Sequence, residues 1–422
     1  MSSGEGHCQV RIDDMTLGPY GVGRAQGKAL LVANAAPGDV LDVSITGNHR
    51  DYSVARMENI AQSSPARRST PCPFLPRCGG CDWQQLSYRE QVAAKGRLIA
   101  AELNRALGLD LNPRDLVTPA PAEFGYRSRL RLKVNSKGAL GFFELDTNRL
   151  VEVDRCLVAR EELAFEPARI LARALPGRCE EMELVNASRG EVLVAHLHGR
   201  VQSADIDRAE RAIVAANLIE GVILHGGGER VALGNVSIGV ELEPGMRLLA
   251  DADVFSQVNH ECNRMLVASV MEHAAIEPGI AVLDLFCGAG NFSLPAARRG
   301  ARVLGVDADP VAISAAQRNA KDLGLEEVRF AAMQAQQIAP FLLRAGYRPQ
   351  VVIVDPPRSG ARQLMKMITA LGGVRVVYVS CNVATLARDL RILAADGYAV
   401  SSVKAFDFFP NTHHSEVLAL LT

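Results

Sequence analysis

The chain has 422 residues, 48% of them hydrophobic and 22% charged, with 46 Lys and Arg against 47 Asp and Glu. That length predicts two or three domains with an ample core. The near-neutral balance excludes a chain-wide basic field, so any nucleic-acid contact has to come from local patches. No apolar run approaches the ~18 residues of a membrane span, and the polar N-terminus lacks a secretory pattern. Nine cysteines, an odd number, point to reduced thiols or metal ligands in a cytoplasm rather than a secreted disulfide framework.

Short β-like runs at 8–12, 28–32, 40–45 and 52–58 are separated by Gly18-Pro19, Gly21-Val22-Gly23, Pro37-Gly38-Asp39 and Gly47-Asn48. This rhythm predicts an OB-like β-barrel over residues 1–62, a fold often used on RNA. Residues 61–70 read as a Ser/Pro/Arg linker. Next comes Cys72-Pro73-Phe74-Leu75-Pro76-Arg77-Cys78-Gly79-Gly80-Cys81. Three cysteines so close in a cytoplasmic chain predict thiolates that converge on a metal. Cys156 is the choice for a fourth ligand, with Cys179 as competitor. Zinc on four thiolates also fits, but the x5 spacing between Cys72 and Cys78 is unlike a zinc ribbon and favours an iron–sulfur cluster.

An amphipathic helix is predicted over 84–107. In the strand that follows, Arg127, Arg129, Arg131 and Lys133 alternate onto one face. Four like charges side by side predict an anionic partner, and an RNA phosphate backbone is the natural one. Residues 140–250 continue as strands with a helix or two, with hairpins expected near 180–198 and 221–235. The central α+β domain is therefore drawn as 63–250 and a catalytic α/β domain as 251–422.

In that last domain strands fall near 281–285, 302–306, 327–331, 350–354, 374–379, 398–405 and 416–421, with helices between most of them. The first ends in Asp284-Leu285-Phe286-Cys287-Gly288-Ala289-Gly290-Asn291-Phe292, a strand, a Gly turn and a helix start. Gly288 and Gly290 are expected to let the backbone approach a ligand, because a Cβ would block it. The third glycine of a phosphate fingerprint is missing, and Asp284 at the strand end would repel a pyrophosphate. Asp307, about 20 residues on, suits a ribose hydroxyl pair. A cationic, ribose-bearing ligand not led by phosphate is S-adenosylmethionine.

Three more strand ends carry chemistry. Asp355-Pro356-Pro357-Arg358 holds a carboxylate at the rim of a stiffened turn. Ser380-Cys381-Asn382 puts Cys381 at the N-terminus of a helix that Asn382 can cap, where the helix dipole favours a thiolate. Glu416 heads an apolar strand, an edge-of-core position that raises a carboxyl's pKa and suits a general base.

The motifs Asp-Leu-Phe-Cys-Gly-Ala-Gly-Asn-Phe, Asp-Pro-Pro-Arg, Ser-Cys-Asn with Ala384-Thr385-Leu386-Ala387-Arg388-Asp389, and Phe409-Pro410-Asn411-Thr412-His413-His414-Ser415-Glu416 occur in one order. Together they resemble the RNA 5-methyluridine methyltransferases. The barrel resembles the TRAM domain of that family, and the cysteine loop the [4Fe-4S] loop of its 23S ribosomal RNA branch. The resemblance implies a Rossmann-like, seven-stranded class I methyltransferase domain. It implies Cys381 as nucleophile, Glu416 as general base and Cys72, Cys78, Cys81 and Cys156 as cluster ligands. It also puts Gln257, Phe286, Asn291, Asp307 and Asp355 in the cofactor pocket and Gln334 at the adenine. Val383 departs from the family, which usually has Pro there; the Asn382 cap is kept. The expected enzyme is a cytoplasmic monomer with no membrane partner, acting on 23S rRNA, or on tRNA as the weaker alternative. Rival readings are an amino-methyltransferase, which would need no nucleophile, and a non-catalytic RNA-binding protein.

Overall fold

The computed structural model describes residues 7–25, 27–216 and 218–422; the first six positions of the expected barrel lie outside that set. The described residues form two compact units. The first comprises those up to Glu123 with Phe143–Val151 and Ala405–Ser415. The second comprises Phe124–Phe142, Glu152–Lys404 and Glu416–Thr422. No helix among the described residues is long and apolar enough to cross a membrane.

The first unit contains a closed barrel of strands His7–Met15, Tyr20–Ala25, Lys28–Ala33, Val40–Asn48 and Tyr52–Gln62. The first pairs with the second and the second with the third, the third runs parallel to the fifth, the fifth pairs with the fourth, and the fourth closes back onto the first. This is the OB topology, filled by Val10, Ile12, Leu30, Val32, Leu41 and Val43. One strand was hidden. Gly21-Val22-Gly23 reads as a turn but lies inside the strand Tyr20–Ala25. Its glycines serve close approach, since a Cβ on Gly23 would sit 2.2 Å from the Arg11 carbonyl oxygen.

The expected linker is also structured. Arg67 pairs with the fully buried Asp39 at 2.6 Å, and the Ser64 N–H donates to the same carboxylate at 2.9 Å. The helix begins at Tyr88, not at 84, and runs to Leu107 with Ser87 capping the Glu90 N–H. The four residues before the cap are buried, and Trp83 and Gln85 donate to the carbonyls of Gly18 and Ala35.

In the second unit the strands Glu229–Gly234, Ile219–Gly226, Glu191–Leu197, Cys179–Asn186 and Arg129–Val134 lie in that order. Both expected hairpins are present. The basic strand is not an open cationic face. Its antiparallel register sets Lys133 against Glu181 and Arg131 against Glu183. Lys133 reaches Glu181 at 2.5 Å, Arg131 pairs with Glu181, and Arg129 faces Glu183 and donates to the Val254 carbonyl at 3.1 Å. Two carboxylates about fifty residues away in sequence, Glu181 and Glu183, therefore counter part of the charge of the expected phosphate ladder inside the sheet.

A further hairpin, Ser237–Glu243 with Met246–Asp251, packs on the helices His260–Ala274 and Pro310–Asp322. The Leu249 N–H donates to Asn319 Oδ1, and Asn319 Nδ2 donates back to the Leu249 carbonyl, both at 2.9 Å.

Seven strands of the α/β sheet then follow the order Val328–Ala332, Arg302–Asp307, Ala281–Leu285, Val351–Val354, Arg375–Ser380, Glu416–Leu421 and Val400–Phe406. The first five run parallel, and Glu416–Leu421 runs antiparallel to Arg375–Ser380. This is the class I methyltransferase arrangement expected from the motifs, with ligands gathering at the strand C-termini. The reversal matters: a strand entering antiparallel has its first residue at the edge where its neighbours end.

The pairing of Arg131 with Glu181 makes a prediction. Arg131→Ala changes RNA affinity by less than about twofold and leaves the salt slope of binding unaltered, because a paired guanidinium releases no counterions. Filter binding over a salt series measures both.

Candidate active site

The strand Ala281–Leu285 is buried throughout and delivers the chain into a strained turn. Phe286 takes a positive φ of 63°, Gly288 53° and Gly290 103°. For a bulky residue such as Phe286 that conformation is costly, and such strain concentrates at functional sites. The two glycines divide the work. A Cβ on Gly288 would enter open space, whereas one on Gly290 would meet Leu294 Cγ at 2.8 Å. Only Gly288 thus opens toward a ligand; Gly290 makes room for the helix Ser293–Arg298.

A pocket here is lined by Gln257, Phe286, Asn291 and Asp355 of the expected cofactor residues, together with Gly288, Asn263, Phe292, Leu242 and Leu248. Asn263 was not anticipated. Its amide exchanges hydrogen bonds with Asn291 at 2.9 and 3.1 Å, and an Asn inside a helix, where it is a poor former, was the available signal. Gln257 is fixed through its neighbours: the Val258 carbonyl accepts from the Ser128 N–H at 2.8 Å, and Asn259 caps the next helix. Asp307 is adjacent, accepting from the Gly288 N–H and the Asp309 N–H, each at 2.9 Å. Gln334 is outside the lining. It is exposed and caps the helix Ala335–Ala345.

The lining carries apolar surface, three amides and a carboxylate but no Lys or Arg, so it fits a ligand without phosphate. Asp284 adds a second indication. It is fully buried, and Ser293 Oγ donates to its Oδ2 at 2.5 Å. Its Oδ1 is buried without a hydrogen-bond partner among the described residues. Burial, with the Asp307 charge nearby, pushes this carboxyl up to about 7. Asp284 is outside the lining, two residues before Phe286, which is in it; a buried, half-satisfied carboxyl there favours positive charge nearby.

The pairing of Ser380 with Val417 brings Cys381, just past one strand, to the same sheet edge as Glu416, which starts the next. Asp355 follows the strand Val351–Val354 on the other side. The three groups feel one another. Burial holds Glu416 well above the ordinary carboxylate range, Asp355 raises it further, and Arg358 pulls it down. Burial, then the Asp284 charge, pushes Asp355 up to about 7. Cys381 is pushed up to about 11, by burial first and then by Glu416 and Asp355, with Arg358 opposing. The expected thiolate at a helix N-terminus is thus corrected. Asn382 does cap the helix Val383–Ala395 through the Ala384 and Thr385 N–H groups, but burial and two carboxylates push the thiol up.

Comparison with known proteins fits this site. A family model described as tRNA (Uracil-5-)-methyltransferase matches residues 238–422. Similar along nearly the whole chain are two proteins named 23S rRNA (uracil(1939)-C(5))-methyltransferase RlmD. The one from Pectobacterium atrosepticum is 32% identical over 96% of this chain and 92% of its own length. The one from Shewanella amazonensis is 34% identical over 95% and 92%. The chain belongs to the RNA uracil-5-methyltransferase family. It is a methyltransferase that uses S-adenosylmethionine to modify uracil C5 in RNA. The fold agrees with the Pyrococcus abyssi tRNA (uracil-54, C5)-methyltransferase structure, in complex with S-adenosyl-L-homocysteine. The TM-score is 0.75 at 24% identity, covering 98% of this chain and 99% of that one.

Within this uracil-5-methyltransferase the Asp-Pro-Pro-Arg turn is latched to the helix that follows Cys381. Asp389, fully buried, accepts from the Ala361 N–H and the Tyr378 hydroxyl, both at 2.7 Å, and from Arg388 Nε at 2.8 Å. Arg388 donates in turn to the Ser359 carbonyl at 2.9 Å, and Thr385 Oγ1 to the Arg358 carbonyl at 3.2 Å. These contacts, made between segments some thirty residues apart, give the Ala384–Asp389 motif its task.

The cysteine loop is in the first unit. Gly79 packs so tightly that a Cβ would lie 2.7 Å from the Phe143 carbonyl oxygen, and the Gly80 N–H points at Cys78 Sγ at 3.4 Å. Cys78 is buried; Cys72 and Cys81 are partly so. Cys156 is in the second unit. No group of three or more His, Cys, Asp or Glu among the described residues stands in metal-holding geometry. Cys179, the competitor, is buried, its thiol is pushed up to about 12, and it donates to the Glu181 carbonyl at 3.2 Å. Those features suit a structural thiol rather than a ligand.

The Asp284 carboxyl makes a prediction with a definite sign. An acid raised from 3.8 to about 7 on folding favours the folded state below its ordinary value and loses that contribution as pH rises through about 7. Asp284→Asn therefore raises Tm over wild type at pH 8 and by less at pH 4, while weakening S-adenosylmethionine binding. Scanning calorimetry at the two pH values and titration calorimetry with the cofactor check both halves.

Proposed function

We propose that this enzyme methylates C5 of a uridine in 23S ribosomal RNA, giving 5-methyluridine, through a covalent bond between Cys381 and C6. The observation that carries the reading is the antiparallel pairing that sets buried Glu416 beside Cys381, with Asp355 lining the adjacent pocket. The names of the two relatives support ribosomal RNA as substrate.

Uracil C5 is a weak nucleophile. Cys381 passes its thiol proton to a neighbouring carboxylate as its sulfur adds at C6, creating an enolate that concentrates electron density at C5. S-adenosylmethionine, when bound, supplies an electrophilic methyl group to that carbon. Glu416 then takes the C5 proton, the C5–C6 double bond re-forms and the sulfur leaves with its electron pair. Arg358 offsets negative charge on both groups. Gln257, Asn263, Asn291 and Asp307 would hold the cofactor, and Asp355 holds the uracil or orients the methyl donor. The target base has to leave its stack to reach the thiol.

In this reading the barrel is a TRAM domain that grips RNA, and the enzyme works as a cytoplasmic monomer. The loop thiolates of Cys72, Cys78 and Cys81 hold a [4Fe-4S] cluster with a structural task, for which the N–H directed at Cys78 Sγ is suitable. Sequence keeps Cys156 as the fourth ligand. No step of methyl transfer passes through the cluster.

Nucleoside mass spectrometry of RNA from a strain lacking the gene is expected to show loss of 5-methyluridine from one 23S fragment. Loss from tRNA would overturn the substrate, and no loss would overturn the reading. Cys381→Ala is expected to lower kcat by at least about 10³-fold; an active variant would point to amine methylation instead. Glu416→Gln is expected to accumulate a protein–RNA adduct on denaturing gels, and rapid product release would assign the base elsewhere. Anaerobically purified protein should carry about four irons and four sulfides per chain, reduced in Cys78→Ser and Cys156→Ser; zinc in their place would refute the cluster.

A further inference from the structure

The sheet pairs Arg129, Arg131 and Lys133 with Glu181 and Glu183, which leaves open where the RNA backbone is gripped near Cys381. The chain as a whole carries a formal charge of −1, so the answer has to be local. Between 356 and 395 the sequence holds Arg358, Arg362, Lys366, Arg375, Arg388 and Arg391 against one acidic residue, Asp389. This is the segment that runs from the Asp355 turn, through Cys381, to the end of the following helix.

The fold gathers part of that charge around one open cavity of about 610 Å³, lined by Ser359, Gly360, Arg362, Gln363, Lys366, Arg388 and Ile392, with no carboxylate in the lining. Arg362 and Lys366 are four apart on the helix Arg362–Leu371, so they share a face, and both are exposed. Arg388 is different. It is pinned by Asp389 and by the Ser359 carbonyl, so its position is set by the same latch that sets the turn carrying Asp355. The cavity wall therefore begins four residues from a catalytic carboxylate.

We infer that this cavity is a phosphate clamp for the RNA strand flanking the target uridine. Arg362 and Lys366 supply the mobile charge and Arg388 supplies the fixed edge. A single strand with a base turned out of its stack exposes the phosphates on either side, and a basic groove that tracks them is the usual way to hold such a strand. The inference rests on RNA being the substrate, as proposed above, and names where on the catalytic domain its backbone is held.

The test is the double charge reversal Arg362→Glu/Lys366→Glu in the full chain, set against Arg318→Glu/Lys321→Glu. The control pair makes the same change in net charge at two exposed positions of the helix Pro310–Asp322, outside the cavity lining. The probe is a 23S rRNA transcript that the wild-type protein methylates. The cavity variant is expected to raise KM for RNA more than tenfold while S-adenosylmethionine affinity stays within twofold of wild type. The slope of log affinity against log salt is expected to fall by about 1.4, at roughly 0.7 per phosphate contact on a single strand. Equal losses in both variants would mean a diffuse field and overturn the clamp. So would an unchanged KM and slope in the cavity variant, including the case where the groove serves a protein partner. Failure of the wild-type protein to methylate any RNA would sink the substrate reading itself, and is seen before either variant is made.

Discussion

The buried carboxylate of Asp389 holds the catalytic edge together. With three donors from the turn, a strand and its own helix, it joins the segment after Asp355 to the helix that starts beside Cys381. Removing water from an ion costs several kcal/mol unless hydrogen bonds replace it, and here they do. The consequence is geometric. Asp355 and Cys381 arise from neighbouring strands, yet the loops leaving those strands could drift. A charge that is satisfied only when turn, Tyr378 and helix are all in place makes the arrangement one state rather than several.

The seven strands of the catalytic sheet were legible to within a few residues. Parallel strands covered on both faces are short apolar runs cut off by Gly, Pro or Asp, and a local window sees both signals. The Gly turn and the Asp-Pro-Pro-Arg turn were visible for the same reason, and four side chains named from the motifs line one pocket. What escaped depends on distant partners. Gly21 and Gly23 look like turn residues until the first strand is laid against them. Arg67 looks like linker until Asp39 accepts it. Arg131 and Lys133 look like an RNA ladder until Glu181 arrives from another strand. Like charges on a strand face predict a counter-charge, and a sequence does not say whether it belongs to a ligand or to the next strand.

Cys381 shows the same lesson within the site. The helix cap at Asn382 is local and was readable; the environment of the thiol is not. Its pKa is governed by burial and by carboxyls contributed from the strands on either side, one 26 residues before it and the other 35 after. The dipole alone therefore leaves out the burial and the carboxyls that push the thiol up.

The elevated thiol is what the chemistry of a buried corner requires. A thiol and two carboxyls share one desolvated edge with a single nearby guanidinium, Arg358, opposing them. They cannot all be ionised, because each charge raises the proton affinity of the others. At neutral pH the corner keeps protons on some of the three, and ionising any one becomes easier when its neighbours are neutral. A protonated Glu416 removes one of the charges that hold Cys381 up, so the thiolate is favoured in the state where Glu416 carries a proton. In the mechanism proposed above, the sulfur bonded to carbon is neutral, so it places no charge beside the Glu416 carboxyl when that group is to serve as the base. In that mechanism the coupling lets these groups ionise one at a time rather than together.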